Sequence, residues 1–487
     1  MRFAARALCF CVLASFMAGA APAPPLAALL AHMRAVNDRL YETRIDSTAT
    51  RQMGSDDPPL RSSAQGVMFS IRQCTQSVCL GTFFDGERLY SVNINATMLP
   101  RSQAAEPALR ALRLVAMEAF LAPGFTQNGG TIDDDGYGIF NGRRYRKIIV
   151  ADEISVPMIA YVDPQTGLIA GARDVNGNAI YVMRDYRKVG RFLLPFQIDR
   201  NGEVLEAYAS RSVSDAALDR PRGVSGTVSA AAAPMRLDPN STTPMGNCTI
   251  GGISVRCLID SGNSAMSMSL ELAEQLGLTP VGMLRVAGLG DYATEVVRAG
   301  PLTMGPAHFE DLNYIVLNDI NRFGYDLIVG ADVLASMPLT IDNTRHELYF
   351  GGESPADIAG ITIPLQFQNF VPVVNVTLGS RPTALAIDTG DQSNINLAYD
   401  YYVRHPELFK ATRTESVSGV GGASVEVIGQ IASVRIGTLT AQNQQIGATK
   451  TLKGTADGHL GAAFLSQYRI VLDYAHEQMR LYPLKPL

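Results

Sequence analysis

The chain has 487 residues, of which 47% are hydrophobic and 18% charged, and its formal net charge is −5. That length exceeds a single hydrophobic core and points to about three domains, while the apolar and charged fractions exclude general disorder. Lys and Arg form no basic run, which excludes nucleic acid as a partner, because neutralising phosphates needs clustered cations.

Residues 1–20 read as an export signal. Arg2 and Arg6 precede the apolar stretch Ala7–Phe16, and Ala18-Gly19-Ala20 offers the small residues of a cleavage site. The Ala- and Pro-rich continuation does not extend the run to the roughly 20 apolar residues of a membrane span. The mature chain is therefore expected to carry no transmembrane segment and to be periplasmic or secreted. Cleavage would leave four cysteines in two local pairs. Cys74 and Cys79 flank a short turn, and Cys248 and Cys257 flank a hairpin around Gly251-Gly252. In an exported protein these are two expected disulfides, the second directly opposed if its turn centres on Gly252-Ile253. No histidine neighbours either pair, so no metal site is expected there.

Residues 21–213 are expected to be a β-rich N-terminal domain. An amphipathic helix covers 26–40, with Leu26, Leu29, Leu30, Met33, Val36 and Leu40 on its apolar side. Asp85-Gly86, Asn141-Gly142, Asn176-Gly177 and Asn201-Gly202 then separate apolar or alternating runs, the pattern of β-hairpins. One helical insert, Glu106–Leu121, interrupts a curved antiparallel sheet. Asp133-Asp134-Asp135-Gly136 lacks the remaining ligand spacing of a calcium loop and reads as an acidic turn. The stretches Tyr161–Ile169 and Asp185–Pro195 loosely resemble strands of the outer-membrane lipoprotein carrier family. That resemblance implies a half-barrel and contact with lipid or lipoprotein. Residues 214–235 have no consistent period and read as a linker.

The rest of the chain repeats itself. Cys257-Leu258-Ile259 runs into Asp260-Ser261-Gly262, and Leu385-Ala386-Ile387 into Asp388-Thr389-Gly390. At closely matched distances follow Leu327-Ile328-Val329-Gly330 and His459-Leu460-Gly461, and at equal distances beyond those glycines stand Asp342 and Asp473. Between them each half has an apolar patch, a short helix (Leu270–Leu276; about Ala398–Val403) and a Gly-rich hairpin. This is a duplicated lobe, 236–351 and 361–487, joined by a linker at 352–360. A pair of carboxylates forced together cannot both ionise, and a shared proton lets one act as base while the other acts as acid.

These motifs in combination resemble the retropepsin-like aspartic proteases, in the fused tandem form of pepsins. The resemblance implies a mainly β fold, with two homologous lobes forming one bilobal unit behind the half-barrel-like domain. It implies a catalytic dyad of Asp260 and Asp388 acting on a peptide or protein substrate, with no metal or organic cofactor. Because one chain holds both lobes, a monomer suffices. Ser261 and Thr389 would reach across to the opposite loop, Gly262 and Gly390 would allow close approach, and Gly330 and Gly461 would pack behind the loops. Gly288, Gly290 and Tyr292 are flap candidates. Two positions depart from the family pattern, Asn263 and Asp391; the second puts a third carboxylate near the dyad, facing either inward or out to a turn. None of the six histidines shows metal spacing or a nucleophilic partner, and His459 is read as a packing residue. The alternative is a non-catalytic binding protein for peptides, lipid or lipoproteins of the cell envelope.

Overall fold

A computed structural model describes residues 25–50, 59–101, 106–229, 233–287, 291–352, 360–419, 422–450, 452 and 456–484. The expected export signal and most of the 352–360 linker lie outside these residues. Strands dominate, in four sheets. The first is a 13-stranded antiparallel sheet, running from Met98–Pro100 at one edge to Thr131–Phe140 at the other, with Arg44–Ala49 paired to Glu203–Ser214 in its middle. All four Asp-Gly and Asn-Gly signals lie at its strand-to-strand turns.

Two helices, Leu26–Val36 and Glu106–Ala116, cover one face of this sheet. Leu29, Met33, Ala111, Leu112 and Val115 are buried there with Ile148, Val150, Ala160 and Val162. The apolar face of the half-barrel-like sheet is thus filled by the chain's own helices. Both helices stop sooner than the apolar pattern predicts. Arg39 and Glu118 adopt left-handed backbone, which ends the α-helical ladder before the short 3-10 turns Leu40–Glu42 and Ala119–Leu121. The acidic run 133–136 forms an irregularity in strand Thr131–Phe140, where Asp134 pairs with Arg146 and Asp135 with Lys147 of the neighbouring strand.

Part of the predicted linker is ladder. Gly226–Val228 pairs with Ala307–Phe309, and Met235–Arg236 pairs with Leu348 and Glu347. The two later repeats then share one plan. Strand Ile253–Ile259 runs antiparallel to Met245–Ile250 and parallel to Leu327–Val329. Strand Arg381–Asp388 runs antiparallel to Val371–Leu378 and parallel to Gly458–Gly461. The far side of each apolar-Gly strand takes Ser267–Ser269 or Ile395–Ala398, and each of these leads into a helix, Leu270–Gln275 or Tyr399–Arg404. The repeats join in a six-stranded sheet, where Leu339–Asp342 lies antiparallel to Tyr468–Asp473 and Arg469 Nε sits 2.9 Å from Asp342 Oδ2.

Both cysteine pairs are bonded. Cys74 faces Cys79 directly across its hairpin. Cys248 does not face Cys257. The turn falls on Gly251-Gly252, which aligns Cys248 with Val255 and Cys257 with Gly246, so this bridge runs diagonally with Cα atoms 6.0 Å apart.

The N-terminal sheet is tied to the first repeat at two places. Thr75 Oγ1 donates to Met283 O at 2.6 Å, and Ser77 Oγ to Val281 O at 3.0 Å, on strand Pro280–Ala287. More deeply, Asp332 is fully buried in the helix that follows Gly330 and accepts from Asn93 Nδ2 (2.7 Å), Asn95 Nδ2 (2.9 Å), Thr97 Oγ1 (2.6 Å) and Met266 N (2.9 Å). Removing that carboxylate would leave buried donors without a partner. Asp332→Ala is expected to cost about 3 kcal/mol, read as a lower urea midpoint at unchanged slope; an unchanged midpoint would mean that this contact does not hold the two parts together.

Candidate active site

Two strand ends meet tip to tip. Ser261 N donates to Thr389 Oγ1 (3.0 Å) and Thr389 N to Ser261 Oγ (3.1 Å). Each hydroxyl then donates onward to the opposite strand, Ser261 Oγ to Ile387 O and Thr389 Oγ1 to Ile259 O, both at 2.7 Å. Ser261 and Thr389 are buried, so these bonds work where water cannot replace them. The glycines that follow are needed for space rather than for an unusual φ. A Cβ on Gly262 would stand 2.5 Å from Asp388 Cγ, and one on Gly390 2.5 Å from Asp260 Cγ. Behind the loops a Cβ on Gly330 or Gly461 would strike the Ala265 or Ser393 carbonyl oxygen at 2.1 and 2.2 Å.

This brace brings Asp260 and Asp388 together, each carboxyl lying against the glycine of the opposite loop. Their surroundings differ. Asp260 Oδ1 accepts from Gly262 N at 2.8 Å; Asp388 Oδ1 accepts from both Gly390 N and Asp391 N at 3.0 Å. Burial, and then the charge of Asp388, push the Asp260 carboxyl well above the ordinary range. Burial alone would raise Asp388 as well, but the hydrogen bond and charge of His459, with further hydrogen bonds from Asp260 and Asp391, outweigh it and hold Asp388 below that range. The two carboxyls are thus pushed in opposite directions, Asp260 up and Asp388 down.

His459 is not the packing residue its apolar context predicts. Alternation along strand Gly458–Gly461 sends Leu460 into the core and turns His459 toward the loops, with 28% of its side chain exposed. Its Nδ1 lies 3.0 Å from Asp388 Oδ2 and 3.6 Å from Asp391 Oδ2. Burial would lower the imidazole, but the hydrogen bonds and charges of Asp388 and Asp391 prevail and push it up to about 10. Asp391 accordingly faces inward with one oxygen, and with the other it caps its own turn by accepting from Ser393 N at 2.8 Å. The signal for His459 was present in the repeat itself. The equivalent strand position of the first repeat is Ile328, and the loop position that matches Asp391 carries the neutral Asn263.

Asp388, Asp391 and His459 offer one donor atom each within 4.8 Å of one another, a spacing that a metal ion could bridge. In the structure the three groups face one another directly, with the imidazole set between the two carboxylates. Two phenols also sense the dyad. Tyr325 is pushed up to about 12 by burial and then by the charges of Asp260 and Asp388, and the buried Tyr474 is raised by the same causes. Neither carries a sequence motif. Of the flap candidates, Gly288 and Gly290 lie outside the described residues. Tyr292 is half-buried in strand Asp291–Ala299, packed with Val296, Ile315 and Ile328 and with Val78 and Ile94 of the N-terminal sheet.

No curated protein matches this chain. The family model described as aspartyl protease matches residues 246–333, the segment that carries Asp260, Ser261, Gly262 and Gly330.

Proposed function

We propose that this is an exported, single-chain aspartic endopeptidase of the tandem two-lobe kind, with Asp260 and Asp388 as its catalytic residues. The observation that carries the reading is the close pair of carboxyls, each against the opposite loop's glycine, between two loops braced by reciprocal Ser261 and Thr389 bonds. Support for export comes from the apolar N-terminal segment and from two disulfides, which persist in oxidising compartments. Among the described residues no helix is long and apolar enough to cross a membrane.

The chemistry follows if the shared proton is assigned to Asp260, the carboxyl pushed upward. A water between the carboxyls loses a proton to Asp388 while its oxygen attacks the peptide carbonyl carbon, and Asp260 donates its proton to the carbonyl oxygen, giving a neutral gem-diol. In collapse, Asp388 returns the proton to the amide nitrogen as the C–N bond breaks, and one diol hydroxyl gives its proton back to Asp260. The balance closes on acid, amine and the starting dyad. The buried Ser261 and Thr389 bonds fix the separation on which both transfers depend.

Asp260→Asn and Asp388→Asn should each lower peptide hydrolysis about a thousandfold or more, because an amide can neither take nor give the proton. The check is cleavage of a peptide library from about pH 3 to about pH 8. Robust cleavage in both variants would show that other residues do the chemistry, and binding without hydrolysis by the wild type would favour the non-catalytic alternative. The wild-type rate should follow a broad bell. Activity appears as Asp388 ionises, below the ordinary carboxyl range, and is lost as Asp260 ionises, well above it. Thr389→Val keeps the shape but removes a buried acceptor and donor. It is expected to destabilise the fold by about 1–3 kcal/mol and to lower kcat with little change in KM; unaltered kcat would mean that the brace does not set the dyad.

A further inference from the structure

The duplicated frame is an internal control, since two copies of one backbone plan carry different charges at matched positions. In the first repeat, Ile328 pairs in register with Leu258 and Ser267, and Asn263 Nδ2 donates to Ser267 Oγ at 3.0 Å. In the second repeat, His459 pairs in register with Ala386 and Asn396, and its imidazole faces Asp388 and Asp391. Ile328 is sealed in an apolar cluster with Val78 and Ile94 of the N-terminal sheet. His459 has no such cover and lies against a carboxylate of which 14% is exposed. Backbone donors lean the same way, two to Asp388 and one to Asp260.

We propose that His459 is a positioning residue which settles the division of labour in the dyad: as an imidazolium held by Asp391, it keeps Asp388 ionised as the base and leaves the shared proton on Asp260 as the acid. This deepens the protease reading and rests on it. A dyad in a symmetric frame could carry its proton on either side, and only the arrangement with a proton on the acid and a charge on the base is productive for one direction of attack. The cation acts on Asp388 at hydrogen-bonding distance and on Asp260 from further away. Asp391 offsets the cost of placing that cation in a half-buried site. The other titratable groups around the cluster are Glu426, raised to about 7 by burial and by the charge of Asp391, and the phenols Tyr325 and Tyr474.

The test uses the full exported chain, with a chelator present throughout, and reads both activity and titration. Replacing the histidine by the first repeat's residue, His459→Ile, should move the acidic limb of the kcat/KM profile upward by about one to three pH units, because Asp388 loses its cation. His459→Lys should restore much of the low limb, and Glu426→Gln should leave that limb in place. Carboxyl ¹³C NMR, with signals assigned through Asp260→Asn and Asp388→Asn, should show Asp388 as the first of the pair to ionise in the wild type and its titration moved upward in His459→Ile. An acidic limb and an Asp388 titration both unmoved in a folded His459→Ile would overturn the proposal. Should that variant fail to fold, the wild-type imidazole decides: His459 must remain protonated at about pH 8, far above a free histidine, and a neutral ring there overturns the proposal. The NMR arm needs no turnover, so expected titrations without hydrolysis would remove the protease reading and leave the proton assignment standing. Hydrolysis with flat titrations would remove only the assignment.

Discussion

Four buried hydrogen bonds between two loops carry the rest of this site. Ser261 and Thr389 each accept from the other's backbone N–H and donate to the strand that brought the other in. No member of the set can be satisfied unless both loops are present and in register, so the contact is all or none. Its consequence is a close approach of two carboxyls that would otherwise repel, at a distance where a Cβ on either following glycine would be intolerable. The six-stranded sheet that joins the repeats, with Asp342 and Arg469 paired in the shared ladder, holds the same symmetry from behind.

On that symmetric backbone the charges are not symmetric, and the difference is concentrated at two positions. Asn263 becomes Asp391, and Ile328 becomes His459. Either change alone would be costly: an extra carboxylate beside the dyad raises its repulsion, and an unpaired imidazolium in a half-buried site is poorly solvated. Together they form an ion pair that adds no net charge, yet its cationic end lies 3.0 Å from Asp388 while one oxygen of its anionic end is taken up by Ser393 N. The paired change sets the dyad's polarity at little cost in local charge.

The repeat was legible because its elements are local. An apolar strand ending in Asp-Ser/Thr-Gly, a glycine where a carbonyl approaches, and a short helix with Ser269 as its N-cap are each written in a few consecutive residues. The Asn-Gly and Asp-Gly turns of the N-terminal sheet were legible for the same reason. What escaped was set by contacts between distant segments. Alternation in a four-residue strand does not reveal which face looks onto the dyad, so His459 read as core. The helices 26–40 and 106–121 were overextended because apolar side chains continue past Arg39 and Glu118 in the sequence, whereas left-handed backbone at both ends the ladder. The stretch 214–235 looked unstructured because Gly226–Val228 and Met235–Arg236 find their partners about a hundred residues away, beyond any local period.

The same asymmetry explains why the N-terminal sheet is anchored so deeply in the first repeat, beyond its Arg88–Glu477 ion pair with the second. Two residues after Gly330 stands Asp332, fully buried; two residues after Gly461 stands Ala463, which asks for nothing. A buried carboxylate in the first repeat is tolerable only if donors reach it, and three of its four come from Asn93, Asn95 and Thr97 of the N-terminal sheet. Met266 N, the fourth, belongs to the segment that leads from the Asp260 loop into strand Ser267–Ser269. The N-terminal residues thus reach the dyad loop through this carboxylate and through Asn93 Nδ2, which donates to Ser264 O at 3.0 Å, and they also cover Ile328 at the position that His459 takes in the second repeat. The first repeat's surface beside the dyad is closed by protein and the second's is left open to a charged side chain. The segment that precedes the repeats in the chain is, physically, the missing wall of the first one.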